Sequence, residues 1–495
     1  MLQELQQRFT REGARNAFCI QDVFYSYEAF GREIERTLGL IQDAGGSETG
    51  RVGIVATNTI QTYASIFACW FSGYAYIPIN PTFPEDRNLS VTEQAGIDLF
   101  LTSDASLING AVFTANRRVI QTTSLSRSQV SLPDLALDFS GEDRLLYILF
   151  TSGSTGTPKG VPISSENIQA FLQSYHDLGF TCSDEDRFLQ MFDLTFDVSV
   201  ASFLVPLLLG ACVYTVPSSG IKYMAVYKIM RDHEITFASV VPSVINFLRP
   251  YLAEIQLKRL KYCILTAEAS NVEMIRIWKQ CIPNAEIWNL YGPTEATIWC
   301  TGYRVDNDQP KAYHNMLAIG KPFSQVTASI RDEAGRRLGQ GEKGELCVIS
   351  KQLTQGYLND PVKTDKQFCK SSDGIYYKTG DLCFVDEDGD IIYCGRADHQ
   401  VKISGFRIEL SEIEVVMTRL YQVNSVAVSY KTDSGTDQIC LFVEDESLDP
   451  ATLKKVLGEH LPYYMVPAMI RTIAQLPLNT SGKIDRPKLV SQCRV

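Results

Sequence analysis

The chain has 495 residues, of which 46 are Lys or Arg and 57 are Asp or Glu, giving a formal net charge of −11. At about 100–200 residues per domain, that length implies roughly two to four structural units. The acidic balance argues against general nucleic-acid binding, which needs a clustered basic surface.

The N-terminal stretch MLQELQQRFTREGARNAF carries charges where a signal peptide needs an apolar core. The most apolar runs, 66–79 and 201–216, are broken by Gly, Pro or Ser before reaching the roughly 20 residues of a membrane span, so no membrane insertion is expected. Strand-like runs at 52–56, 98–102, 146–151 and 211–216 alternate with amphipathic helical segments at 27–42 and 224–234. That alternation predicts βαβ units and mainly parallel sheet. Residues 318–395 read differently: short segments at 328–331, 344–349 and 390–393 lie between turn signals such as Asp388-Gly389, as in a smaller antiparallel sheet. From about Arg396 a compact segment follows, with strands at 425–429 and 439–443 and a helix at 450–460. The expected fold class is α/β: a large N-terminal domain of parallel and mixed sheets with helices, a smaller antiparallel sheet region, and a small α+β C-terminal domain. No Pro/Gly/Ser-rich linker separates the units, so the boundary between 1–396 and 397–495 is expected to be a tight hinge. The 13 cysteines include no C-x-x-C pair and no Cys/His cluster at zinc spacing. Reduced thiols in a cytoplasm are the expected state.

Four segments stand out chemically. The loop Leu149-Phe-Thr-Ser-Gly-Ser-Thr-Gly-Thr-Pro-Lys-Gly160 follows an apolar run and suits phosphate. Its glycines let backbone N–H groups approach a polyanion, its hydroxyls donate further bonds, and Lys159 adds a compact charge. It is not a Walker A loop, because Thr157-Pro158 separates Gly156 from Lys159 and Gly160 follows the lysine. Tyr291-Gly-Pro-Thr-Glu-Ala-Thr297 follows a strand-like run, and α/β sheets bind ligands at strand termini. Tyr377-Lys-Thr-Gly-Asp-Leu382 offers a carboxylate suited to two ribose hydroxyls, or simply a hairpin turn. Residues 395–409 combine dense charge with strand alternation and, taken alone, read as an edge strand.

As a set, these segments resemble the core motifs of the adenylate-forming enzymes, specifically the amino-acid adenylation domains of nonribosomal peptide synthetases and the D-alanine–carrier protein ligases. The resemblance extends from Tyr25-Ser-Tyr-Glu-Ala-Phe30, through Ala75-Tyr-Ile-Pro-Ile-Asn-Pro81, to Asn479-Thr-Ser-Gly-Lys-Ile-Asp-Arg486. It implies attack of an amino-acid carboxylate on the α-phosphate of ATP, with Mg²⁺ as the metal and pyrophosphate as the leaving group. Thr151, Ser152, Gly153, Ser154, Thr155, Gly156 and Lys159 would then cover the β- and γ-phosphates. Tyr291 would stack on adenine, Thr294 would contact the α-phosphate, and Glu295 would help hold Mg²⁺. Asp381 would bind the ribose with support from Arg396, and Lys483 would reach both the carboxylate and the nucleotide.

The resemblance further implies that the C-terminal domain is a mobile lid, with Asp398 at the hinge and Gly405 in a strand lining a thiol tunnel. Asp197, in Phe196-Asp-Val-Ser199, would pair with the substrate ammonium. Val198, Ala201, Ser243, Leu265, Ala267, Leu290, Ile298 and Trp299 would line the side-chain pocket, and the bulk of Leu290 and Trp299 favours a small or compact apolar substrate. Phe150, Asn80 and Ser481 depart from the family pattern without removing a charged group. The sequence ends at Val495 without a carrier segment, so the expected partner is a phosphopantetheinylated carrier protein acting in trans. Lys402, Arg407, Lys454 and Lys455 form the candidate docking patch. The expected activity is that of an amino acid:carrier protein ligase, of the D-alanine type or from peptide biosynthesis. An acyl- or aryl-CoA ligase is disfavoured by Asp197, and a non-catalytic nucleotide-binding protein by Lys483.

Overall fold

The computed structural model describes residues 1–11, 13–135, 144–153, 156–217, 222–305, 309–398, 400–432, 435–478 and 484–493. Two large sheets dominate. The first has nine strands, and its six central neighbours, Asn16–Ile20, Cys212–Thr215, Arg187–Gln190, Phe237–Val240, Tyr262–Leu265 and Glu286–Tyr291, are all parallel. The second has six strands, parallel except where Leu145–Thr151 meets Lys159–Ser164. The helices between them are buried on one face or all round. Tyr27–Asp43 is started by the Ser26 hydroxyl on the Ala29 N–H and buries Tyr27, Phe30, Ile34, Leu38 and Ile41 at helical spacing. Val198–Leu209 is buried from Val198 to Leu207 and closes on Gly210 at φ 78°. Among the described residues no helix is long and apolar enough to cross a membrane.

The antiparallel region is also present. Val326–Arg331, Gly344–Ser350, Gly374–Val385, Phe368–Ser371 and Ile391–Arg396 form a five-stranded sheet. The 377–382 segment is the interior of its longest strand, not a hairpin turn. Beyond it, Gln400–Ile403 and Phe406–Glu409 form a hairpin that feeds the helix Leu410–Tyr421. The hairpin turns at Ser404 and Gly405, both at positive φ (53° and 83°), as a tight two-residue turn requires. Residues from 406 onward share their own apolar core, with Ile408, Ile413, Met417, Leu441 and Leu457 fully or almost fully buried. The α/β class with these sheet types agrees with the sequence reading. The 395–409 segment departs from it, because the hairpin lies against the large sheets instead of facing solvent.

Candidate active site

The loops that follow the parallel strands converge on one cleft. Asp197 follows Arg187–Gln190, Thr266 to Glu268 follow Tyr262–Leu265, Gly292 to Glu295 follow Glu286–Tyr291, and Asn80 follows Ala75–Ile79. The phosphate-type loop leaves the end of Leu145–Thr151. Ligands bind at such carboxyl ends because the connecting loops diverge there. A central cavity of about 100 Å³ touches Thr151, Ser152, Asp197, Thr294, Asp381 and Arg407.

Asp197 is buried at the start of the helix Val198–Leu209. Burial pushes its carboxyl up to about 6, against the opposing pull of the Thr294 hydroxyl and the Val198 and Ile298 N–H groups. Among the described residues no ion pair supplies it with a cation. The cavity beside it reaches Val198, Thr266, Ala267 and Ile298, but Ala201, Leu265, Leu290 and Trp299 are packed behind it. Trp299 is fixed by its indole N–H on the Thr266 hydroxyl, 2.7 Å, and by ring contact with Tyr175 and Phe171. Ser243 lies outside this pocket: its hydroxyl and N–H both donate to Glu268, on the wall of a neighbouring cavity. The pocket wall is strained, with Ala267, Thr297 and Ile298 at φ 65°, 55° and 72°, values costly for β-branched residues. Gln352, fully buried, holds that turn by donating to the Ala296 and Trp299 carbonyls and accepting from Ser174. No motif pointed to Gln352, since a lone glutamine carries no spacing signal.

Glu295 has no exposed surface. Tyr357 donates to one oxygen at 2.8 Å and Arg407 to the other at 3.0 Å. Burial alone would raise this carboxyl, but Arg407 and Lys159 together hold it at about 2. An ionised, hard oxygen donor of this kind fits a divalent cation. Tyr291 donates its hydroxyl to Asp381, and Lys402 sits 5.1 Å over its ring. Arg396 bridges Asp381, at 2.8 Å, to Asp398, which it grips with two bonds of 2.7 and 2.8 Å. The hinge candidate is thereby tied to the ribose candidate through one guanidinium.

On the loop, the Thr151 hydroxyl is buried without a partner among the described residues. Ser152 donates to the Arg407 carbonyl and the Gly153 N–H to Glu412. Lys159 lies 3.7 Å from Glu409. Ser154, Thr155 and Lys483 lie outside the described residues. Gly405 sits at the hairpin turn and not within a strand. Its N–H donates to Glu268, and it lines both the central cavity and an apolar one of about 390 Å³ with Phe196 and Tyr464. Lys402 and Arg407 are turned inward onto Tyr291 and Glu295, so they do not form the expected surface patch; Lys454 and Lys455 are exposed.

Comparison with known proteins shows the family and the fold. The chain is 31% identical to bacitracin synthase 3 of Bacillus licheniformis over 98% of its own length, yet spans only 8% of that protein. It is 29% identical to the D-alanine–D-alanyl carrier protein ligase of the same organism, covering 97% of this chain and 96% of that one. The solved Vibrio cholerae adenylation domain AlmE, in complex with glycyl-adenosine-5'-phosphate, superposes with a TM-score of 0.88 at 25% identity, covering 99% of this chain and 97% of that one. The family model described as AMP-binding enzyme matches residues 5–358, which include the phosphate-type loop, Asp197 and the Thr294-Glu295 turn. The chain belongs to the AMP-binding enzyme family.

Proposed function

We propose that the protein activates a small α-amino acid as its aminoacyl adenylate, releasing pyrophosphate, and then transfers it to the phosphopantetheine thiol of a separate carrier protein. The observation that carries this reading is Asp197: a buried carboxylate with no cation beside it among the described residues, next to Thr294 and within the same cavity as the phosphate-type loop. A buried carboxylate of that kind needs an ammonium, and the substrate supplies it. Trp299, Leu290 and Ile298 fill the space beyond, which favours glycine, alanine or a side chain of similar size.

In this reading the loop donors Thr151, Ser152 and Lys159 hold the β- and γ-phosphates, and Thr294 positions the α-phosphate for in-line attack. Asp381, oriented by Arg396, takes the ribose hydroxyls. Glu295 is the residue that would hold Mg²⁺, which when bound offsets phosphate charge. Lys483 neutralises the reacting carboxylate and phosphate. The unit 397–495 turns about Asp398 between the two half-reactions. Here the hairpin occupies the nucleotide side of the cleft, with Gly405 beside the apolar cavity where a thiol would enter.

The test is ATP–pyrophosphate exchange with the purified protein across D- and L-amino acids and non-amino carboxylic acids, with Lys483→Ala as the control. Exchange stimulated by D-alanine alone would place the enzyme with the D-alanine–carrier ligases, and stimulation by one L-amino acid with peptide biosynthesis. Exchange only with acids that lack an amine would overturn the Asp197 argument.

A further inference from the structure

We propose that Cys19, Asp22 and His233 form a binding site for one divalent cation of the zinc type. One ligand atom from each of the three lies within 4.8 Å of the others. Sequence spacing gives no sign of the set, because 211 positions separate Asp22 from His233. Cys19 is the register partner of Tyr214 on one side and of Phe24, in the edge strand Val23–Ser26, on the other. The three side chains therefore share one face of the nine-stranded sheet. The His233 ring lies over that face, its centre 5.1 Å from the Tyr214 ring and 6.2 Å from that of Phe24. Its backbone is fixed as well: its N–H donates to the Ile229 carbonyl, and Arg187 donates to its own carbonyl at 2.8 Å. Asp22 reaches in from the hairpin turn, with Oδ1 2.8 Å from His233 Nε2. Gln21 and Asp22 hold φ 51° and 63° in a two-residue turn where glycine or asparagine is usual. The turn thus presents a carboxylate at some cost in backbone strain.

A thiolate, an imidazole nitrogen and a carboxylate oxygen are all zinc donors, bound at about 2.0–2.3 Å. Around one ion they stand about 3–4 Å apart, which the present set reaches by small side-chain rotations. Thiolate and carboxylate together balance the 2+ charge, and the Cys19 proton leaves to solvent as the ion binds. Cys19 is buried, whereas the Asp22 side chain is 74% exposed, so the ion enters from the turn and water completes the tetrahedron. Sulfur and nitrogen donors select against Mg²⁺, which takes oxygen. None of the three residues lines the central cavity. The ion instead pins the edge hairpin to the end of the helix Lys222–Asp232.

The experiment is calorimetric titration of Zn²⁺ into the metal-stripped full-length chain in a phosphine reductant, with Cys19→Ala, Asp22→Asn and His233→Gln compared to the parent. The parent should bind one Zn²⁺ that excess Mg²⁺ does not displace. Each substitution should weaken it by at least the roughly 10–100-fold that even a partner of a ligand is worth. Asn tolerates the left-handed turn, so the loss in Asp22→Asn reports the carboxylate and not the fold. With Co²⁺ in place of Zn²⁺, a thiolate charge-transfer band should appear in the parent and be missing in Cys19→Ala. No saturable Zn²⁺ binding in the parent would overturn the proposal. Equal affinity in all three variants would also overturn it, by placing the ion on other side chains.

Discussion

Replacing Asp197 by Asn separates the cost of a functional carboxylate from its use. Burial raises this carboxyl from an ordinary value of 3.8 to about 6, a change worth about 3 kcal/mol between its protonation states. In the unfolded chain the group titrates near its ordinary value. Above about pH 6 the folded state therefore carries an anion it disfavours by nearly that whole amount. As pH falls toward 4, the folded state takes up its proton first and the penalty disappears. Asn never ionises, so Asp197→Asn should stabilise the protein at pH 7.5. The gain is about 1–2 kcal/mol, because the amide NH₂ meets the Val198 and Ile298 N–H groups and forfeits hydrogen bonds. Differential scanning calorimetry should show Tm rising by about 1–2 °C at pH 7.5, with the two proteins converging near pH 4. Loss of the ammonium partner should cost about 3–5 kcal/mol of binding, lowering kcat/KM for the amino acid in pyrophosphate exchange by about 10²–10⁴. A variant that is less stable at pH 7.5, or that keeps kcat/KM within about ten-fold, would refute the assignment.

Gly405→Leu should preserve pyrophosphate exchange and abolish carrier loading. A Cβ there meets Val241 Cγ1 at 2.7 Å, and φ is 83°, so the hairpin cannot seat; equal loss in both assays would count against it. Arg407→Gln should lower the Mg²⁺ concentration for half-maximal exchange several-fold, since the guanidinium occupies the Glu295 carboxylate that the cation would use; an unchanged titration would argue against that competition. Trp299→Ala should cost about 3–5 kcal/mol of stability and shift exchange toward amino acids with larger side chains. A destabilised variant with unaltered preference would place the pocket elsewhere.

The parallel strands and the antiparallel region were legible because their apolar runs and turn signals are local. Tyr27–Asp43, Lys222–Asp232 and Pro450–His460 fall close to where helical periodicity predicts them. The cleft was legible as a set of loops, because glycine, hydroxyl and carboxylate residues after apolar runs have few other uses. What stayed hidden were partners set by tertiary approach. Arg87 and Glu412 are 325 positions apart and look like ordinary surface charges on amphipathic helices. Lys402 and Arg407 read as a surface patch for the same reason: alternation shows that two faces differ, not which face is covered. Ser243 was misplaced relative to the pocket by a short-range ambiguity, because the turn after Phe237–Val240 decides which side chains face Asp197 and which face Glu268.

The docked 400–412 segment meets the cleft sign for sign: Arg407 on Glu295, Glu409 near Lys159, and Glu412 against Arg87 and the Gly153 N–H. Its aromatic contact with the cleft is Phe406, edge-on to Phe196 at 4.7 Å between ring centres. Buried ion pairs contribute little net stability, because desolvation offsets their attraction. A contact built from them stays within a few kcal/mol of its alternative, a gap that a ligand favouring the other state can close. Apolar side chains of the same volume would lack that balance. Arg87→Met combined with Glu412→Leu should therefore hold the segment docked, since such replacements stabilise by about 1–4 kcal/mol. Pyrophosphate exchange should fall by about five-fold or more, while thiol transfer from a supplied aminoacyl adenylate continues. If exchange is unaffected, or both half-reactions decline together, the ion pairs do not set the balance between the two arrangements.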